Sequence, residues 1–193
     1  MKRLILAAAL AATAAPALAH TGHGGTSGLV HGMAHPILGA DHLLAMLAVG
    51  LWSGFVLSRH VWAGAAAFMG AMVLGAGLSW SGVPIPHVEA LIAASVVVFG
   101  ALTVFAHAGQ SRALTAVSLA AIAGFGACHG HAHATEATGQ AAAYLAGFLI
   151  STGALHLVGI ALARAVARAR TAGAVRRVAG AAIAASGAWL VTG

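Results

Sequence analysis

His35-Pro36-Ile37-Leu38-Gly39-Ala40-Asp41-His42 sets two imidazoles and a carboxylate into a stretch otherwise apolar enough to enter a bilayer. Ionisable side chains at membrane depth are costly and mark function by default. Asp41 is one of only three acidic residues in the chain, and each of the three lies within three positions of a histidine. Such scarcity and pairing point to a membrane protein that handles a metal ion.

Composition supports the membrane reading. Hydrophobic residues make up 61% of the chain and charged residues 6%, whereas soluble domains carry roughly a quarter charged. The formal charge of +6 is not a nucleic-acid signature, because the arginines sit between apolar runs with no basic, aromatic-laced stripe. It orients the chain in a bilayer instead. Lys2 is the only lysine, so a phosphate-binding loop ending in Gly-Lys-Ser/Thr is excluded after the first residues, and with it direct nucleotide-driven pumping by this chain. Cys128 is the only cysteine, so no disulfide forms within the chain. H-E-x-x-H is missing and no activated nucleophile is apparent; the chain reads as a non-enzyme with no tightly bound cofactor.

Lys2 and Arg3, the apolar run 4–15 and Ala17-Leu18-Ala19 have the form of a secretory signal peptide, giving segment 1–19 as removed. A leader rich in His and Gly follows at 20–35, with His20 and His23 near a new amino terminus. The rest, 36–193, divides into six apolar runs near 36–58, 61–81, 88–106, 113–130, 141–163 and 174–192, each close to the ~20 residues a crossing needs. The expected fold is an all-α, six-helix transmembrane bundle. With the mature N-terminus outside, Arg59, Arg112, Arg164, Arg168, Arg170, Arg176 and Arg177 all fall on the cytoplasmic side and the outer loops carry no Lys or Arg. The location expected is a bacterial inner membrane, multi-pass, with a periplasmic N-terminus. Gly70, Gly75 and Gly77 suggest close helix packing, and Trp52, Trp62, Trp80 and Trp189 suggest interfacial anchors. An inverted repeat of three plus three spans is conceivable, although the His-rich motifs begin span one and end span four, which are not equivalent places.

If Pro36 opens the first span, with His35 just outside it, a helix to Leu57 is about 33 Å long and carries His35 and His42 on one face. At the end of span four stands Cys128-His129-Gly130-His131-Ala132-His133-Ala134-Thr135-Glu136. On a continuing helix, residues 129, 133 and 136 fall within about 60° of each other, with His131 nearly opposite. Glu89, preceded by His87, opens span three at the same level. Imidazole and carboxylate together, without a thiolate set, favour a borderline divalent ion; nickel or cobalt fits best. Cys128 reads as a small buried hydrophobe and the methionines as core. His60, His107 and His156 read as packing residues, and His31 as a surface residue.

His35-x5-Asp41-His42 with Pro36 and Gly39, followed by His129-Gly130-x-Ala132-His133-x-x-Glu136, resembles the HupE/UreJ family of nickel permeases found with hydrogenase or urease systems. Cys128 and Ala134 depart from that family's usual phenylalanine and glycine. The resemblance implies metal-handling roles for His35, Asp41, His42, His129, His133 and Glu136, and matches Glu89 to an acidic position in span three. It also implies non-ATP-driven uptake of Ni²⁺, with Co²⁺ as the alternative cargo, and a functional link to hydrogenase or urease maturation proteins. Two further classes share some of these features: a metal-binding accessory protein that passes no ion, and a membrane protein holding b-haem between histidines.

Imidazole binds a metal only when unprotonated. Uptake by this chain should therefore fall as the external pH drops through the histidine range. Flux into vesicles measured between about pH 5 and 7.5, spanning the imidazole pKa near 6.5, checks this; a flat profile contradicts it.

Overall fold

The computed structural model describes residues 28–137 and 140–192; the expected signal peptide and the first half of the leader lie outside them. The described residues form seven α-helices: α1 (Gly28–Leu38), α2 (Ala40–Val56), α3 (Ala63–Trp80), α4 (Val88–Phe105), α5 (Arg112–Thr135), α6 (Ala141–Val166) and α7 (Ala172–Thr192). Helices satisfy their own backbone polar groups, which is why an apolar chain of this kind spans lipid in this form. Five of them are long and apolar enough to cross a membrane, and α1 with α2 pass the same test as a pair bent by 77° at the break. The chain is a multi-pass, all-helical membrane protein.

The six runs read from sequence correspond to α2 through α7, but the start of the first differs. Pro36 lies inside α1, not at the first turn of a long helix, and the second half of the leader is helical from Gly28. The break falls at Gly39, whose backbone is extended (φ −83°, ψ 117°). Its N–H donates to the His35 carbonyl at 3.0 Å while its own carbonyl accepts from Leu43 N–H at 2.9 Å, so one residue ends α1 and opens α2. A Cβ there would come within 3.0 Å of Asp41 Oδ1 and His42 Nδ1.

Close backbone contact joins the helices in pairs. A Cβ on Gly126 or Gly130 of α5 would meet the backbone of Phe68 or Met72 of α3, so these two helices run the same way. Gly50 and Gly54 of α2 stand likewise against His156 and Ile160 of α6. Gly100 of α4 meets Ala184 of α7 while Gly187 meets Val97, an antiparallel pair. Exchanging the halves α2–α4 and α5–α7 turns the α2/α6 pair into the α5/α3 pair and returns α4/α7 to itself, which is the packing of an inverted repeat. Small residues permit this approach in lipid, where association depends on van der Waals contact. Of the α3 glycines named from sequence, Gly75 meets the Ala127 backbone, whereas Gly70 and Gly77 have open space around them.

Arginines finish the opposite end. Arg164 donates to the carbonyls of Leu57 (2.6 Å) and Ser58 (3.3 Å) beyond α2, and Arg176 donates to the Ala106 carbonyl that caps α4. Cations at helix C-termini complement the macrodipole. Ser111 caps the start of α5 through Leu114 N–H at 3.2 Å. Trp62, Trp80 and Trp189 are exposed near span ends as expected, but Trp52 is a core residue, buried with Met46, Phe68 and Phe99.

Gly130→Ala should destabilise the bundle by about 1–3 kcal/mol, the usual cost of overpacking, while Gly70→Ala should be neutral or stabilising by up to ~1 kcal/mol because alanine is the better helix former. Thermal unfolding of the two variants in detergent distinguishes them.

Candidate metal centre

Backbone contact between α1 and α6 carries His35 into the bundle. Gly32 and Gly147 leave no room for a Cβ against Tyr144 and Leu29, and Ser151 Oγ donates to the Met33 carbonyl at 2.6 Å. The bend at Gly39 then turns α2 so that the His35 and His42 rings meet edge to face, 5.2 Å between centroids. They approach from two helices across the break, not along one helix face. From α5 comes His133, whose ring lies 4.5 Å from His35 and 4.4 Å from His42. Ring nitrogens of His35, His42 and His133 lie within 4.8 Å of one another.

Hydrogen bonding settles how two of these rings are presented. Asp41 Oδ1 lies 2.6 Å from His42 Nδ1 and also accepts from His42 N–H at 2.8 Å. Glu136 Oε2 lies 2.8 Å from His133 Nδ1. A carboxylate accepts, so each Nδ1 is the donor and each Nε2 is left with its lone pair. These Nε2 atoms face each other in direct contact. Two lone pairs so placed are satisfied by a positive species between them, a shared proton or a metal ion. Carboxylates that hold the far nitrogen of a ligand histidine fix its ring and raise its basicity. Asp41 and Glu136 thus sit behind the rings and orient them. The His133 imidazole beside it holds the Glu136 carboxyl below the usual carboxylate range, so Glu136 is ionised at neutral pH, with His35 Nε2 at 4.0 Å from the same oxygen.

The other expected positions divide. His129 packs against the cluster, 4.9 Å from the His42 ring and 6.4 Å from His133, but directs Nε2 to Ser95 Oγ at 3.1 Å. His131 points away, as the helical spacing implies, with Nε2 donating to the Val83 carbonyl at 2.7 Å. Glu89 stays exposed in the first turn of α4, without a hydrogen bond or ion pair among the described residues. Phe148 is the residue sequence reading missed. Its ring stacks on His133 (5.0 Å, 20°) and lies 5.7 and 5.9 Å from His35 and His42, an apolar wall behind the three imidazoles. The only signal available was the spacing Tyr144, Gly147, Phe148 and Ser151 on one face of α6. A cleft of about 10 Å³, close to the space of one water, opens beside His129, Gly130 and His133. An ion arriving there sheds most of its hydration.

The family described as "HupE / UreJ protein" matches residues 8–190. The chain is 37% identical over 197 residues to Protein HupE of Rhizobium leguminosarum bv. viciae, covering 100% of each chain. No solved structure matches it.

With Asp41 or Glu136 replaced by Ala, the Co²⁺ affinity of the purified protein should drop about 10–100-fold, the usual effect of losing a carboxylate behind a ligand histidine. Titration followed by the visible Co²⁺ spectrum reads this directly; unchanged affinity in both variants contradicts the orienting role.

Proposed function

The chain belongs to the HupE/UreJ family, and from that membership we propose that it is a permease carrying Ni²⁺ inward across a bacterial inner membrane to supply a hydrogenase or urease. The reading rests on one observation above all: His35, His42 and His133 converge from three helices with their ring nitrogens together. Imidazoles suit nickel and cobalt alike, and the ion is cargo, not a resident cofactor. The bundle's arginine end lies in the cytoplasm under the positive-inside rule. On that orientation the histidine end and the N-terminus of a processed chain face the periplasm.

Inward passage needs no nucleotide. Moving one charge across 100 mV is worth about 2.3 kcal/mol, so a divalent ion gains about 4.6 kcal/mol, and capture inside the cell adds to this. Dehydration is offset at the mouth by three imidazoles backed by two carboxylates, a loose set that also permits release. A metal-binding accessory role would use the same ligands without passage.

In cells lacking their own nickel importer, the unaltered chain should restore nickel accumulation, while His42→Ala and Glu136→Gln should abolish or sharply reduce it at equal membrane abundance. Wild-type accumulation in both variants removes the site. Metal binding without flux into liposomes favours the accessory role.

A further inference from the structure

Three histidines have a buried ring nitrogen without a hydrogen-bond partner among the described residues: His129 at Nδ1, His131 at Nδ1 and His156 at Nε2. His131 points out of the cluster to the Val83 carbonyl, while His129 and His156 lie in the core. The latter two are fully buried. Their protonation follows from their neighbours. Ser95 Oγ lies 2.6 Å from the Ile92 carbonyl, which only accepts, so the single hydroxyl proton points there. Ser95 must then accept from His129 Nε2. A neutral imidazole has one N–H, so His129 Nδ1 carries a bare lone pair. His156 is the converse case. Its Nδ1 donates to the Thr152 carbonyl at 2.6 Å, which leaves Nε2 bare. Buried polar atoms are nearly always paired, and these two lone pairs are of the kind that a borderline metal ion accepts.

Ring contacts connect both residues to the outer cluster. His129 touches the ring of His42 in the outer cluster. The Phe68 ring packs against His129 at 5.2 Å and against His156 at 5.3 Å. Phe68 faces Gly126 as His156 faces Gly50, so the two occupy corresponding places in the two halves and meet at the junction between them. Carriers built from inverted repeats hold their cargo at such a junction, near the bilayer midplane. His156 stands about 22 Å along α6 from its outer end. Thr152, one turn away on the same face, has a buried hydroxyl that is also without a partner.

We propose that His156 is a second, inner ligand for a borderline divalent cation, which it takes from His129 past the Phe68 ring. The inference rests on the permease reading for the direction of travel, but not for the ligand itself.

Two measurements test it. In liposomes, His156→Gln should slow Ni²⁺ flux at least tenfold while Co²⁺ binding at the outer cluster keeps its affinity; flux at the unaltered rate overturns the proposal. In detergent, His42→Ala should retain a weaker histidine-bound Co²⁺ band that disappears in the His42→Ala/His156→Gln chain; a band unaffected by the second change also overturns it. If the unaltered chain carries no ion, the permease reading fails while the Co²⁺ titration still decides whether His156 is a ligand. Should His156→Gln not fold, ¹⁵N-histidine spectra of the unaltered protein replace it. Zn²⁺ should then shift a buried imidazole bearing its proton on Nδ1, in addition to the outer three, and the absence of any such shift overturns the proposal.

Discussion

Two imidazole lone pairs, each fixed by a carboxylate behind its ring, face one another at one end of the bundle. Asp41 holds His42 and Glu136 holds His133, and neither ring can turn its N–H to the other without giving up that bond. A positive species between the rings, a proton or a metal ion, would satisfy both lone pairs. His35 closes the third side and Phe148 the fourth. All of it depends on the bend at Gly39: a straight helix would carry His35 on up the axis and away from His133.

The opposite end has the reverse character. Arg164 and Arg176 neutralise the carbonyl ends of α2 and α4, the two helices whose outer ends begin near Asp41 and Glu89. The acids and the His35–His42–His133 cluster thus lie at one end of the bundle, with Arg164 and Arg176 at the other, while the helix pairs between them repeat in inverted form. Between these ends the glycine contacts of α2 with α6 and of α3 with α5 bring backbone against backbone.

Much of this was legible in the chain of residues. Six apolar runs of crossing length, punctuated by arginines on alternate connections, determined a six-span membrane bundle. Helical spacing put His129, His133 and Glu136 on one stripe and turned His131 away, because an α-helix has a fixed 3.6-residue period. Rare acids beside histidines named the chemistry, and the two motifs named the family. These are local properties, fixed by period, length and the cost of charge in hydrocarbon.

What spacing could not decide was which polar atoms meet. Pro36 looked like a helix start but lies within α1, because the break fell three residues later at a glycine whose missing Cβ leaves room for the Asp41–His42 hydrogen bond. Asp41 and Glu136 looked like ligands but stand behind the rings, since a carboxylate one or three positions from a histidine reaches its Nδ1 first. His156 looked like packing, yet its bonding to Thr152 leaves an unpartnered lone pair in the core. Sequence alone determined the bundle and its charge asymmetry. Tertiary structure decided which nitrogens converge and how their protons are arranged, because both depend on contacts between helices far apart in the chain.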